Sequence, residues 1–180
     1  MKRTKIEFGI DLGTTNSSIV KMQGGEPRVY KSDTTMDTMP SCVGFNKKGT
    51  LLVGSVAFNS LNRDKLNAMR DFSQTSSNFF IEFKRTMGTD KAYYSSHTKK
   101  GYSSEELSAE VLKTLKTFVK DDDLDAVVIT VPAKFTINQK DATLRAAKLA
   151  GFKQCELLQE PIAAAMAYGL KTSDKNGYWL

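Results

Sequence analysis

The chain has 180 residues, 40% of them hydrophobic, and a formal net charge of +6. That length buries a real core and fits one domain or two small lobes. Lys and Arg are scattered, with no groove-reading or base-stacking motif beside the densest pairs, Lys47-Lys48 and Lys99-Lys100, so no nucleic-acid partner is expected; no apolar stretch is long enough to span a membrane.

Residues 6–11 form a short apolar strand and residues 16–22 a second. The short link between them implies an antiparallel hairpin. Gly24-Gly25 turns the chain into a third strand at 28–30. A further hairpin pairs 42–45 with 51–53 across Asn46-Lys47-Lys48-Gly49, and a short helix follows at 56–62. From there to Met87-Gly88, aromatics mix with polar residues in what reads as a small lobe inserted into the main domain.

Ser103-Ser104-Glu105-Glu106 has capping-box spacing and opens a helix with Leu107, Val111, Leu112, Leu115, Phe118 and Val119 on one face. Asp121-Asp122-Asp123 marks its exit. Residues 126–131 form a nearly unbroken β-branched run, the pattern of a strand covered on both faces, and Pro132 stops it. Thr136 and Gln139 form a second capping box; the helix they open ends at Gly151. Residues 154–158 are another strand, and Pro161 sits in the first turn of an Ala-rich helix reaching about Tyr168. Strand, helix and strand in this order predict a right-handed parallel crossover. Cys42 and Cys155 read as buried free thiols of a reducing compartment, and with no signal peptide at the N-terminus a cytoplasmic protein is expected.

Three segments could carry chemistry. In Gly9-Ile10-Asp11-Leu12-Gly13-Thr14-Thr15-Asn16 a strand ends at an acid and turns sharply through Gly and hydroxyl residues. Backbone N–H groups there can point at phosphate oxygens, Thr14 and Thr15 add hydroxyl donors, and Asp11 can hold a hydrated Mg²⁺. The same residues also suit a bare hairpin turn. Glu160, just past a strand and at the mouth of a helix, can orient a water toward phosphorus, or can simply favour the helix dipole. Lys84, in Phe83-Lys84-Arg85-Thr86-Met87-Gly88, can reach a phosphate as a point charge, or can be a solvated surface lysine. His97 receives no role.

Taken in order, these segments resemble the Hsp70 (DnaK-like) chaperone family. The opening motif through Ser17 looks like its first phosphate loop, and Phe83-Lys84-Arg85 with Met87-Gly88 its lysine segment. Val131-Pro132-Ala133 with Phe135, Ala150-Gly151, and Glu160-Pro161 with Ala163-Ala164-Ala165 and Ala167-Tyr168-Gly169 follow the same pattern. The resemblance implies an α/β, actin-like (ribonuclease-H-like) fold: a mixed sheet of antiparallel meander plus parallel strands, with flanking helices and a small inserted lobe. Residues 1–39 and 98–180 would form the core lobe and 40–97 the insertion.

By the same resemblance, ATP or ADP with Mg²⁺ would be the cofactor of an ATPase. Asp11 would anchor Mg²⁺ through water. Gly13, Thr14, Thr15 and Asn16 would bind phosphates, Lys84 would contact the γ-phosphate or the attacking water, and Glu160 would orient that water. Pro132 and Lys140 would lie on an allosteric relay, so that ATP turnover gates the binding of unfolded polypeptides, assisted by a J-domain co-chaperone and a nucleotide exchange factor. Other actin-like proteins, a sugar or acetate kinase or an ATP-dependent filament protein, share the Asp-Gly-Thr turn. Three features depart from the family: Lys134-Phe135-Thr136-Ile137 replaces Tyr-Phe-Asn-Asp, Lys140 replaces an arginine, and the stretch between Gly88 and Ser103 is shorter. The Gly-rich second phosphate loop expected after Tyr178-Trp179-Leu180 and the adenosine-binding lobe fall outside the sequence. The chain by itself is accordingly expected to bind ATP poorly and to hydrolyse it negligibly.

Overall fold

The computed structural model describes residues 6–72 and 77–171; Tyr178, Trp179 and Leu180 lie outside the described residues. β1 (Phe8–Leu12) and β2 (Asn16–Gln23) form the hairpin that their spacing implies. β3 (Glu26–Val29) begins before the expected Arg28 and takes in Pro27. It is an edge strand, where proline's missing N–H disrupts no inner ladder. β4 (Met39–Pro40), too short to carry any pattern, pairs with the start of β2.

The chain next forms the hairpin of β5 (Val43–Phe45) and β6 (Leu51–Val53), as expected. α1 (Ser55–Arg70) runs well past the expected 56–62. Its second half is mostly exposed and therefore carries no apolar period, but it is rich in Arg, Lys, Leu, Ala and Met, whose intrinsic preference sustains the helix. β7 (Phe79–Phe80) adds to β5, and a 3₁₀ turn (Phe83–Thr86) follows. β8 (Tyr93–Ser95) and β9 (Lys100–Tyr102) make a separate hairpin, and the 97/98 boundary read from the sequence falls in its turn. His97 has a structural contact in that turn: its Nδ1 lies 2.8 Å from the Phe45 carbonyl oxygen.

α2 (Ser104–Phe118), β10 (Ala126–Val131), α3 (Ile137–Leu149), β11 (Gln154–Gln159) and α4 (Glu160–Lys171) complete the described chain. Both capping boxes are formed. Ser103 Oγ accepts from Glu106 N at 3.1 Å while Glu106 Oε2 accepts from Ser103 N at 2.8 Å, and Thr136 and Gln139 do the same at the start of α3. Gly151, at φ 84°, ends α3 with its N–H donated to the Lys148 carbonyl.

The main sheet runs β11-β10-β1-β2-β3, with β4 against β2. β1, β10 and β11 are mutually parallel and the β1-β2-β3 meander is antiparallel, so the sheet is mixed as expected. The core joins Phe8, Ile10, Leu12 and Ile19 to Val127 and Ile129 of β10 and to the α2 stripe of Leu107, Val111, Leu112 and Leu115. Phe45, Phe80, Phe83 and Met87 extend the same core into the segment between β4 and α2. Cys42, Ala57, Leu61 and Phe79 form a smaller cluster of their own beneath α1.

Candidate functional site

Three parallel strands set the site. Asp11 of β1 is in register with Thr130 of β10, and Thr130 with Leu158 of β11. The carboxyl ends of all three therefore meet one edge of the sheet, and the residues that follow them, Gly13-Thr14, Pro132 and Glu160, gather there. Together with Lys84 and Ala163 they line a cleft of about 540 Å³. Asp11, Lys84 and Glu160, far apart in sequence, thus face one space.

Lys84 is 5% exposed, which removes its reading as a solvated surface side chain. Its Nζ donates to Glu160 Oε1 at 3.0 Å and lies 5.6 Å from the centroid of the Phe135 ring. A buried ammonium needs such partners, because desolvation without compensation is costly. The 3₁₀ turn holds it there. Buried Phe83 and Met87 flank it, and Thr86 Oγ1 sits 2.7 Å from both Tyr93 Oη and Ser104 Oγ, tying the turn to β8 and to the start of α2. Glu82, just before the turn, takes the left-handed φ of 56° that redirects the chain.

Glu160 directly follows β11 and opens α4, and Pro161 sits in the first turn, where a backbone N–H has no helical partner to lose. The Glu160 side chain is 43% exposed, so one carboxylate bridges the buried lysine and the open cleft. Asp11 also lines the cleft, and there Thr130 Oγ1 donates to its Oδ1 at 3.0 Å.

The turn after β1 carries hydrogen bonds of its own. The Gly13 N–H is donated to Ser17 Oγ at 3.2 Å, inside the loop, instead of standing free toward the cleft. Glycine is required here for shape: a Cβ on Gly13 would lie 2.0 Å from the Asn16 carbonyl oxygen. Thr14 lines the cleft, whereas Thr15 and Asn16 lie outside that lining, Asn16 pairing with Pro40 across the β2–β4 ladder. Lys140 sits on α3 and is likewise outside it.

Sequence reasoning missed Thr130 and Phe135 as neighbours of Asp11 and Lys84. Thr130 had a signal, being the one hydroxyl in an otherwise apolar strand. Phe135 stood out only as part of the motif after Val131-Pro132-Ala133, since its place over Lys84 depends on the fold. The family described as Hsp70 protein matches the chain over residues 7–178.

Proposed function

The chain belongs to the Hsp70 family, and on that premise we propose that it forms the phosphate-gripping lobe of a Mg²⁺-dependent ATPase whose turnover gates the binding of unfolded polypeptides. Its mixed sheet is that of the family's actin-like ATPase fold, and the family is one of chaperones that bind and hydrolyse ATP. The observation that carries the proposal is the convergence of Asp11, Lys84 and Glu160 on one cleft at the carboxyl edge of the parallel strands.

The donor set suits the cofactor. Mg²⁺ in nucleotide sites is commonly held by one or two carboxylates, waters and the phosphates themselves. Asp11 offers one such carboxylate, and among the described residues no group of three or more His, Cys, Asp or Glu offers an all-protein cage. When bound, the ion would neutralise phosphate charge. Thr14 would then donate to a phosphate oxygen, Lys84 would bring an ammonium to the terminal phosphate, and Glu160 would accept a proton of the attacking water and hold it in line. Asp11 would orient the ion's water shell with Thr130 fixing its carboxylate. Thr15 and Asn16 would complete the phosphate contacts.

We assign residues 1–39 and 98–180 to the core lobe and 40–97 to an inserted subdomain that carries Lys84 to the cleft. Pro132, in the cleft lining just after β10, and Lys140 on α3 would transmit the nucleotide state to a peptide-binding domain. A J-domain co-chaperone and a nucleotide exchange factor would regulate the cycle. The two free thiols favour a reducing compartment such as the cytoplasm.

The test is Lys84→Ala and Glu160→Ala in the full-length protein. Loss of a positioned group of this kind should slow single-turnover hydrolysis by about 100-fold or more, with the circular dichroism spectrum unchanged. Hydrolysis at the unsubstituted rate in either variant would refute the role given to that residue.

A further inference from the structure

We propose that Ser17 and Ser41 are positioning residues that fix the phosphate loop by closing a ring of hydrogen bonds around Gly13. The ring follows from the donors available. Ser41 Oγ donates its single proton to the Gly13 carbonyl at 2.8 Å. The 2.8 Å contact between Ser17 Oγ and Ser41 Oγ must then use the proton of Ser17, with Ser41 accepting. Ser17 Oγ in turn accepts from the Gly13 N–H at 3.2 Å. Amide, hydroxyl, hydroxyl and carbonyl thus form one closed circuit that begins and ends on the same residue, each bond polarising the next.

Both serines are buried, at 1% and 2% exposure, so neither hydroxyl is offered to a ligand. Removing Ser41 strands the buried Ser17 hydroxyl, removing Ser17 strands the half-buried Gly13 N–H, and either change opens the circuit. A further bond, from Ser41 N to the Thr15 carbonyl at 2.8 Å, holds the far side of the loop. Together with the absence of room for a Cβ on Gly13, these bonds leave the loop one shape, in which Thr14 is presented to the cleft.

Ser41 directly follows β4, the point at which the chain leaves the main sheet for the segment that carries Lys84. The clamp therefore joins the phosphate loop to the root of the segment that supplies the ammonium.

This inference rests on the proposed ATP site and is tested on the full-length protein with Ser17→Ala, Ser41→Ala and the double variant, reading the Kd for MgATP by calorimetry beside the thermal midpoint. Each single change should weaken MgATP binding by about tenfold, and the double variant should be no weaker than the singles because any one break opens the same ring. Independent, multiplying effects of the two changes would overturn the ring. Lower thermal midpoints with an unchanged Kd would overturn the positioning role and leave a structural one. Where an alanine variant does not fold, Ser41→Cys keeps the volume but supplies a weak donor, and must show the same loss of binding. Absence of MgATP binding by the unsubstituted protein would remove the proposed function and this inference together; unsubstituted binding matched by all the serine variants would remove this inference alone.

Discussion

Lys84 and Asp11 reach the cleft under opposite constraints. The ammonium is enclosed, with Glu160 and the Phe135 ring as its neighbours, while the Asp11 carboxylate is exposed and steadied by Thr130. Thr130→Val keeps the branched shape that β10 needs and deletes that donor. In the full-length protein it should raise the Mg²⁺ concentration needed for half-maximal hydrolysis by about fivefold, the equivalent of one modest hydrogen bond; an unshifted Mg²⁺ titration would show that Thr130 does not position Asp11. The cysteines, by contrast, take no part. Burial pushes the thiols of Cys42 and Cys155 up to about 12, with Glu156 adding to the effect at Cys155, so both stay protonated at neutral pH. Cys155 is half-buried, less enclosed than its apolar sequence context suggests.

At the scale of the element, the helices divide by what holds them. α2 is over-determined: it has a complete capping box, acids in its first turn and a buried apolar stripe. Burial alone would push the Glu106 carboxyl up, but its bonds from Ser103 N and Lys100 outweigh that and hold it below the usual carboxylate range. Ser103→Ala removes the hydroxyl from the box and should cost about 1 kcal/mol, seen as a lower urea midpoint at an unchanged slope; an unaltered midpoint would show that the box contributes nothing net. α1 has neither cap nor stripe along its second half, starting instead from Gly54 at φ 70°. This difference explains why the sequence delimits α2 to within a residue and shortens α1: capping and burial leave a pattern in residue types, whereas helix preference on an exposed surface leaves almost none.

Across the whole molecule, the acidic run after α2 ties the helical layer to the antiparallel edge of the sheet. Asp121 accepts from Tyr30 Oη at 2.9 Å and from Arg28 at 2.7 Å, and Asp122 from Lys21 at 2.6 Å. The sequence presented this run merely as a helix exit. The Tyr30 hydroxyl first, and the Arg28 guanidinium next, hold the Asp121 carboxyl below its ordinary value. As pH falls, the unfolded chain binds this proton first, near pH about 4. The stabilisation is therefore complete above that value and is lost as pH falls through the lower folded pKa. Asp121→Asn should lower the urea midpoint at neutral pH and reduce its dependence on pH on the acid side; parallel midpoint curves for the two proteins between about pH 5 and 3 would count against this tie.

Much of the architecture is written in residue types. Alternation and β-branching specify β1, β2 and β10, reciprocal Ser-Glu and Thr-Gln spacings start α2 and α3, and Pro132 and Gly151 end what precedes them, because these signals act over a few residues of chain. The site's candidates were legible for the same reason, as an acid at a sharp glycine turn and a glutamate between strand and helix. Their meeting was not. Asp11, Lys84 and Glu160 share a cleft because β1, β10 and β11 end at one edge of a sheet and a 3₁₀ turn from a separate segment is buried against them. The partners that steady them, Thr130, Phe135, Ser17 and Ser41, are chosen by proximity in space, and proximity between distant segments is a property of packing that no local pattern encodes.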